Sequence, residues 1–272
     1  MSTQTKLFSS QNLPIIALLS QVQHVLAGHP HAILQAEPGA GKSTQVPLAL
    51  MKAEWLKGRK ILLLEPRRLA VRALAGFLAT QLGENVGQRI GYQVRNDRKV
   101  SSQTQLEIIT EGVLIRRLQQ DPELNDTALI IFDEFHERSL EADLALALSL
   151  ECQKELRDDL KILLMSATLE GDALSHFLDQ APLIHCPGRS FPVHRHYLTS
   201  PINPQRYDAL YTTLTAILCK AVKNHTEHCL IFLPGQKEIF TAIRFATDAL
   251  DEHTFSLIPL YGGLSTEAQN KV

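Results

Sequence analysis

A glycine-rich segment follows an apolar, strand-like run near the start of the chain. The run Ala32-Ile33-Leu34 leads into the string Ala36-Glu37-Pro38-Gly39-Ala40-Gly41-Lys42-Ser43. The two glycines allow the backbone to curl so that successive N–H groups point at an anion, in conformations that a Cβ would hinder. Lys42 then begins a predicted helix, whose unpaired N–H groups and dipole also favour an anion. This pattern predicts a phosphate-binding loop, with the Lys42 ammonium on the terminal phosphates and the Ser43 hydroxyl on Mg²⁺.

Ala36 stands where the strict phosphate-loop pattern has glycine. Alanine is the mildest replacement, because only the left-handed and mirror-image backbone regions become costly. The competing interpretation is a glycine-rich strand-to-helix turn that binds no ligand. On the phosphate-loop interpretation, the residues expected to bind the nucleotide are Glu37, Pro38, Gly39, Ala40, Gly41, Lys42, Ser43 and Thr44.

A pair of carboxylates follows a second apolar run. Asp133 and Glu134 come directly after the run from Ala128 to Phe132, at the carboxyl end of a predicted strand, where open α/β sheets bind their ligands. We expect Asp133 to hold Mg²⁺ through water, and Glu134, beside the metal, to polarise the attacking water as general base. Lys42 and Asp133 are 91 positions apart, a spacing compatible with several intervening βα units. Together the two segments predict a site for a Mg²⁺-bound nucleotide, with Ser43, Asp133 and Glu134 at the metal.

The composition is typical of a globular enzyme and disfavours several other classes of protein. Apolar residues make up 44% of the 272 positions but form no run long enough to span a bilayer. The start of the chain is polar and lacks the basic-then-apolar order of a secretory signal. The 4 cysteines show no paired ligand spacing, so we expect reduced thiols rather than a disulfide or zinc framework. These features predict a cytoplasmic protein.

The overall charge does not predict a nucleic-acid partner. With 27 basic and 29 acidic residues, the chain lacks the bulk basic character that nucleic-acid binders usually show. Local clusters could still form a groove, because a single strand is held by few phosphate contacts. The clustered basic residues are Arg67, Arg68 and Arg72, then Arg95, Arg98 and Lys99, then Arg116 and Arg117.

Apolar runs bounded by turn residues alternate with stretches of helical periodicity along the chain. This alternation predicts an α/β fold, in which a parallel sheet is covered by helices on both faces through right-handed crossovers. A proline-rich tract leads into a second unit, where strands are expected at Val193–Tyr197, His228–Leu233 and Phe255–Leu260. Because this unit is short for a domain of its class, we interpret it as incomplete.

The string Asp133-Glu134-Phe135-His136-Glu137-Arg138 resembles the signature of the DEAH-box group of superfamily 2 helicases, with Phe135 where the family usually has alanine. The resemblance covers roughly residues 13–272 and is strongest to the bacterial HrpB-type branch. The other motifs, in the family's order, are Glu65-Pro66-Arg67-Arg68 (motif Ia), Gly91-Tyr92-Gln93-Val94-Arg95, Thr110-Glu111-Gly112-Val113-Leu114 (motif Ib), Ser166-Ala167-Thr168 (motif III), Pro187-Gly188-Arg189-Ser190-Phe191-Pro192-Val193 (the segment that joins the lobes) and Phe232-Leu233-Pro234-Gly235 (motif IV).

The resemblance implies a domain organisation and a set of ligands. A polar segment 1–12 precedes a first RecA-like lobe over 13–186, a connecting segment over 187–203 and part of a second RecA-like lobe over 204–272. The implied cofactors are ATP, or other nucleoside triphosphates, and Mg²⁺. The implied partner is single-stranded RNA or DNA, with RNA favoured by family analogy. The sequence leaves the oligomeric state open, and we expect a monomer.

The resemblance also assigns roles to residues. Lys42, Asp133, Glu134 and His136 match catalytic positions. Ser166 and Thr168 match positions that, with His136, couple the nucleotide site to lobe movement. The residues that match positions facing nucleic acid are Arg67, Arg68, Thr110, Glu111, Gly112 and Gly235.

Besides Phe135, two features depart from the family pattern. The strings that carry the family's arginine finger and water-positioning glutamine, motifs V and VI, do not occur, so we expect this chain to bind Mg²⁺-nucleotide but to hydrolyse it slowly. Phe77 stands where many members have an arginine that stacks on adenine, and it either stacks on the base without charge or is a core residue. Nucleotide base selectivity therefore stays open.

Three functions compete on the sequence. The first is a nucleic-acid-stimulated NTPase that translocates along RNA or DNA. The second is another phosphate-loop enzyme, such as a kinase or transport ATPase, or an NTPase that acts on a protein partner; the ordered motifs Ia, Ib and III disfavour a kinase. The third is a non-catalytic ribonucleoprotein scaffold, which the intact Lys42, Asp133 and Glu134 disfavour.

Overall fold

The chain forms two compact units, Met1–Phe191 and Pro192–Val272. In this computed structural model, the described residues are 13–167, 171–188, 192–202, 207–224, 228–250 and 255–269. The expectations for the segment 1–12 and for Thr168 therefore fall outside the described residues.

The first unit is built on one sheet. Its strands are β1 His31–Ala36, β2 Lys60–Leu64, β3 Ile90–Val94, β4 Asp97–Lys99, β5 Leu106–Ile109, β6 Thr127–Phe132, β7 Lys161–Ser166 and β8 Leu183–Cys186. Among the described residues these eight strands lie in the order β4-β3-β5-β2-β6-β7-β1-β8. Neighbouring strands are parallel except β3 and β4, which form an antiparallel hairpin at one side of the sheet.

Helices connect the strands of the first unit and cover both faces of its sheet. They are α1 Leu19–Gly28, α2 Lys42–Leu50, α3 Arg68–Gln81, α4 Glu111–Gln120, α5 Leu140–Glu155 and α6 Gly171–Phe177, with 3-10 turns at Pro14–Leu18, Glu54–Leu56 and Phe135–Glu137. Alternate residues of a strand enter different cores: Leu129 and Ile131 pack with α1, α2 and α3, whereas Ile130 and Phe132 pack with α4 and α5. A sheet buried on both faces requires strands that are apolar throughout, which confirms the α/β fold predicted from these runs.

The strand order brings five carboxyl ends together. The strands β5, β2, β6, β7 and β1 are consecutive in the sheet. Because parallel neighbours end at the same edge, the residues that follow them also lie along one edge, which we call the carboxyl edge. In that order these residues are Thr110, Glu65, Asp133, Ala167 and Glu37.

The second unit is helical in its described residues. It contains α7 Tyr207–Asn224, α8 Gln236–Thr247 and α9 Thr266–Gln269. The fully buried Tyr211 of α7 stacks on Phe245 of α8, with ring centroids 5.5 Å apart.

The strand predictions for the second unit are wrong for this chain. Within its described residues, no β-pairing is formed by the three segments, which are Val193–Tyr197, His228–Leu233 and Phe255–Leu260. Leu230 is 69% exposed and Phe232 is 88% exposed. A strand is stable only where a neighbour takes up its N–H and C=O groups, and the described part of the unit provides no such neighbour.

Candidate active site

The phosphate-loop segment forms a tight turn between β1 and α2. Gly39 and Gly41 both have left-handed backbone conformations, with φ of 79° and 91°. At Gly41 a Cβ would also lie 2.8 Å from Leu13 Cδ1, so this position needs glycine for space as well as for conformation. The turn places the backbone of Lys42 at the first position of α2. The local conformation is thus one that directs N–H groups towards an anion.

The structure brings the two predicted segments into contact. The Lys42 ammonium is buried, and its Nζ lies 2.6 Å from Glu134 Oε1. Because β7 alone separates β1 from β6 in the sheet, residues 92 positions apart in the chain meet at the carboxyl edge. A buried ammonium is stable only with a partner, and the partner of Lys42 is the predicted general base, Glu134.

Asp133 is a buried carboxylate with one satisfied oxygen. Its Oδ1 accepts a hydrogen bond from the Glu134 backbone N–H at 2.9 Å, whereas its buried Oδ2 has no hydrogen-bond partner among the described residues. Burial raises the pKa of Asp133 to about 6, although the Lys42 ammonium and the Ser43 hydroxyl lower it. An oxygen that is buried and unpaired beside a serine hydroxyl fits a hard cation such as Mg²⁺.

Glu65 is a second buried carboxyl group at this edge, and no role was expected for its side chain. It follows β2 as Asp133 follows the neighbouring β6, and its Oε1 accepts a long hydrogen bond of 3.4 Å from the Arg67 backbone N–H. Burial, together with the charge of Asp133, raises the pKa of Glu65 to about 7. The sequence signal was available, because Glu65 also comes directly after an apolar strand-like run.

The segment 134–138, which we call the motif II turn, has unusual backbone geometry at both ends. Glu134 and Arg138 have positive φ values of 49° and 46°, conformations that non-glycine residues rarely adopt. Between them, Phe135 is buried and packs edge-on against Phe132, with ring centroids 6.0 Å apart. The phenylalanine that departs from the family pattern is therefore a core residue that anchors the turn.

His136 links the motif II turn to the end of β7. Its Nε2 lies 3.5 Å from Glu134 Oε2, and its Nδ1 accepts a hydrogen bond from the Ala167 backbone N–H at 3.2 Å. Ser166, the last residue of β7, is buried next to this contact. The structure thus joins His136 to the motif III segment, and the coupling role of these residues stays a prediction.

The residues expected to face nucleic acid differ in exposure. Arg67 and Arg68 are exposed where α3 begins, and Gly112 is exposed near the start of α4. Glu111 is buried instead, and burial raises the pKa of its carboxyl group. Gly235 belongs to the second unit, where it precedes α8.

The clustered basic residues do not all lie on the surface. Arg117 turns inward and contacts the buried Glu107, with one Nη1 to Oε2 distance of 3.1 Å, and also Gln93. Arg72 pairs with Asp97 at 2.9 Å. The basic residues of these clusters that are exposed are Arg67, Arg68, Arg95, Arg98, Lys99 and Arg116.

Phe77 is half exposed on α3, which disfavours the core interpretation of this residue. At 50% exposure its ring is open to a ligand or to solvent. Among the described residues, no aromatic ring packs against Phe77.

Comparison with known families decides the class of this protein. A family model described as DEAD/DEAH box helicase matches residues 19–177, which is more than half of the chain. The matched range contains the phosphate loop, Asp133 and Glu134. The chain belongs to the DEAD/DEAH box helicase family. The resemblance found in the sequence motifs is therefore confirmed.

Curated relatives of this DEAD/DEAH box helicase include bacterial and yeast proteins. ATP-dependent RNA helicase HrpB of Escherichia coli (strain K12) is 47% identical over 265 residues, which cover 96% of this chain and 31% of the relative. ATP-dependent RNA helicase HrpA of Borreliella burgdorferi is 32% identical, with 96% and 31% covered. Probable ATP-dependent RNA helicase DHR2 of Saccharomyces cerevisiae is 33% identical, with 96% and 36% covered.

Solved structures agree with the family assignment. The crystal structure of Escherichia coli DEAH/RHA helicase HrpB matches with a TM-score of 0.83 at 45% identity, covering 96% of this chain and 32% of that chain. A second structure, Escherichia coli DExH-box NTPase HrpB, matches with a TM-score of 0.77 at 44% identity, covering 97% and 32%. This helicase chain thus spans about a third of the length of the relatives that it matches. Among its described residues, no helix combines the length and the apolar character needed to cross a membrane.

Proposed function

We propose that the protein is an ATP-dependent RNA helicase of the DEAH-box type, which couples hydrolysis of nucleoside triphosphates to movement along RNA. The observation that carries this proposal is the contact of the buried Lys42 with Glu134, beside the unpaired carboxylate oxygen of Asp133. A lysine, a metal-binding carboxylate and a general base at one sheet edge are the groups that phosphoryl transfer to water requires.

The nucleotide would be held by the phosphate loop. Its backbone N–H groups from Gly39 to Thr44 would surround the phosphates, and Lys42 would neutralise their terminal charge. Ser43 and Asp133, with Glu134 beside them, would hold Mg²⁺. A metal held by these residues would supply positive charge that offsets the negative charge developing during hydrolysis.

Glu134 would act as the general base once Lys42 leaves it. Lys42 Nζ lies 2.6 Å from Glu134 Oε1. Triphosphate oxygens compete for the same ammonium, and their charge-assisted hydrogen bonds are at least as strong as those to a carboxylate. Binding would therefore free Glu134 to orient a water and to accept its proton. His136, which contacts both Glu134 and the Ala167 backbone, would carry this change towards Ser166 and Thr168.

RNA would bind along the carboxyl edge of the first unit. Arg67 and Arg68 supply exposed cations there, and the backbone around Thr110 and Gly112 supplies polar groups for phosphate contacts. For Gly235, which belongs to the second unit, contact with nucleic acid stays a prediction from the resemblance. The exposed Arg95 follows β3, which is parallel to β5, so it extends the same edge. The choice of RNA rests on the relatives, which are named RNA helicases.

The remaining parts of the proposal concern the whole protein. We place the first RecA-like lobe at 13–186, the connecting segment at 187–203 and part of a second lobe at 204–272. The stretch of 272 residues lacks strings for an arginine finger, so this stretch alone would bind Mg²⁺-ATP and turn it over slowly. A monomer in the cytoplasm is the state we propose for the protein.

The test is steady-state ATPase activity of the protein at its full natural length, without polymer and with single-stranded RNA or DNA of the same sequence. We expect stimulation by RNA above that by DNA, and loss of turnover by about 10²-fold or more in Glu134→Gln. Glu151→Gln, which changes an exposed glutamate of α5, is the matched control and should leave the rate unchanged. A rate that Glu134→Gln abolishes but that neither polymer changes would contradict the helicase proposal and favour a protein partner as the trigger.

A further inference from the structure

The motif II turn is fixed to the protein core on one side. The Phe135 ring lies in the core formed with α4 and α5, and the Arg138 guanidinium lies 5.5 Å from its centroid. The same guanidinium contacts both carboxylate oxygens of Asp143 in α5, at 3.1 and 3.0 Å. These contacts hold Glu134 and Arg138 at positive φ, in conformations that persist only where the surroundings maintain them.

On the side of β2 and α3, an ion pair between Glu137 and Arg67 holds the turn. Glu137 Oε1 lies 2.5 Å from Nη2 of Arg67, which stands between β2 and α3. The Arg67 side chain is 71% exposed, so a phosphate from solvent can reach it while it contacts Glu137. The described structure thus joins a residue of the proposed RNA edge directly to the segment that carries the general base.

Glu137 lies among other carboxyl groups. Burial is the main cause that raises the pKa values of Glu65 and Glu111, and the negative charge of Glu137 adds to both. Two nearby cations have partners of their own, because Lys42 contacts Glu134 and Arg138 contacts Asp143. Loss of Arg67 would therefore leave Glu137 without this cation, and the ionised forms of the neighbouring carboxyl groups repel it.

We propose that Glu137 is a positioning residue that couples RNA binding to the general base Glu134. Without RNA, Arg67 holds Glu137 and with it the motif II turn. A phosphate of the single strand takes Arg67 from Glu137, and the repulsion from the neighbouring carboxyl groups then shifts the turn, which carries Glu134 and His136. This inference rests on the proposed function, because it assigns the route by which RNA stimulates hydrolysis at the same site.

The competition predicts an effect on RNA affinity. In Glu137→Gln, Arg67 no longer has a carboxylate partner, so RNA does not need to displace one. We expect a nucleotide-free protein of full natural length to bind a fluorescein-labelled single-stranded RNA oligonucleotide about two- to fivefold more tightly, the range for an exposed ion pair. Fluorescence anisotropy measures this change. Glu141→Gln removes the same charge from the neighbouring first turn of α5 and should leave the affinity within the error of the parent.

The coupling predicts an effect on hydrolysis. In Glu137→Gln, the ratio of RNA-stimulated to unstimulated turnover should fall towards one, because RNA binding no longer changes the charge balance of the turn. Glu141→Gln should keep the parent ratio. In an Arg67→Gln background, the second change Glu137→Gln should alter neither affinity nor ratio, since the pair is already broken. A general loss of structure would not give tighter RNA binding, and thermal unfolding of each variant checks its folding.

The outcomes separate this inference from the proposed function. A parent that RNA stimulates, with a Glu137→Gln variant that matches Glu141→Gln in affinity and stimulation, would overturn the coupling role alone. Equal effects of Glu137→Gln in the parent and in the Arg67→Gln background would also overturn it. A parent that neither RNA nor DNA stimulates would overturn the proposed function and the coupling role together.

Discussion

Glu65 and Asp133 are carboxyl groups that follow neighbouring strands and are buried side by side. Burial raises the pKa of Glu65 to about 7 and that of Asp133 to about 6, above their ordinary values of 4.5 and 3.8. Each group therefore binds its proton more tightly in the folded protein than in the unfolded chain. The two protonated groups therefore raise the free energy of unfolding fully below the ordinary pKa. This stabilisation is lost as the pH rises through the raised pKa.

The first prediction concerns Glu65→Gln. Glutamine keeps the shape of the protonated acid and cannot lose a proton, so the variant should lose less stability than the parent between about pH 4.5 and pH 7. At pH 8 we expect the free energy of unfolding to be on the order of 2 kcal/mol higher in the variant. Urea denaturation at pH 5 and at pH 8 measures the difference. If the free energy of unfolding changes equally with pH in parent and variant, Glu65 does not cause the loss of stability. Asp133 contributes a pH dependence of the same sign, but it is present in both proteins.

The second prediction concerns Gly188, which packs against the phosphate loop. A Cβ at this position would lie 2.5 Å from Glu37 Cβ, a distance that side-chain rotation of Glu37 cannot relieve. Gly188→Ala should therefore displace the loop and weaken binding of a fluorescent ATP analogue by about tenfold, as a loss of roughly 1 to 2 kcal/mol implies. Gly76→Ala in α3 is the control, because a Cβ there meets nothing within 4 Å. Equal affinity in the two variants would contradict the close contact.

At the scale of elements, one buried arginine, Arg157, holds the segments that lead into β6 and β7, at the sheet edge opposite the site. Arg157 Nη1 donates to the carbonyl oxygens of Glu123 at 2.7 Å and Leu124 at 2.9 Å, and its Nη2 donates to that of Thr127 at 3.0 Å. Its Nε donates to Asp159 Oδ1 at 2.8 Å. This hydrogen bond holds the pKa of Asp159 well below its usual range. These hydrogen bonds connect the loop that follows α4 to the residues that precede β7.

The third prediction is that Arg157→Met destabilises the first unit. Methionine fills a similar volume but removes the guanidinium donor from three carbonyl oxygens, of which that of Leu124 keeps a hydrogen bond from the Thr127 backbone N–H. We therefore expect a loss of about 2 to 4 kcal/mol in the free energy of unfolding. Arg59→Met is the comparison, because Arg59 contacts the same Asp159 from a more exposed position and should cost less than about 1 kcal/mol. Chemical denaturation of both variants tests the order, and similar losses would contradict the role assigned to the buried carbonyl contacts.

At the scale of the whole molecule, the two units differ in how much apolar surface they bury. The first unit has a sheet with a core on each face. Among the described residues of the second unit, the fully or largely buried apolar side chains are Tyr211, Leu218 and Ala246. Stability of a segment follows its buried contacts and its protected backbone hydrogen bonds.

The fourth prediction is that limited proteolysis of the 272-residue chain removes the second unit first. Cleavage should begin after residue 192 and leave a resistant product that contains the sheet of the first unit. The reason is that the segments around Leu230 and Phe232 pair with no strand in the described structure. Mass spectrometry of the products at increasing protease concentration identifies the order. Early cleavage inside β6 or α5, with the second unit intact, would contradict this assignment of stability.

The sequence by itself determined the chemistry of the site. The phosphate loop needs residues that are adjacent in the chain, and so does the Asp133-Glu134 pair after its strand, because a strand end and the first turn of a helix are local structures. Apolar runs of strand length determined the parallel sheet buried on both faces in the same way. Boundaries and pairing in the second unit could not be predicted, since strand formation depends on a neighbour that local sequence does not specify.

Only the tertiary structure decided which distant groups meet. The strand order places Glu65 beside Asp133 and Lys42 on Glu134. The same order turns Arg117 inward to Glu107, so that one of the basic clusters in the sequence loses a surface cation. These outcomes depend on burial and on the spacing of parallel strands, which set both the distance between charges and the solvent that screens them. A sequence contains neither the distances between charges nor their exposure to solvent. The residue types of the site were therefore predictable, whereas the partners of those residues were not.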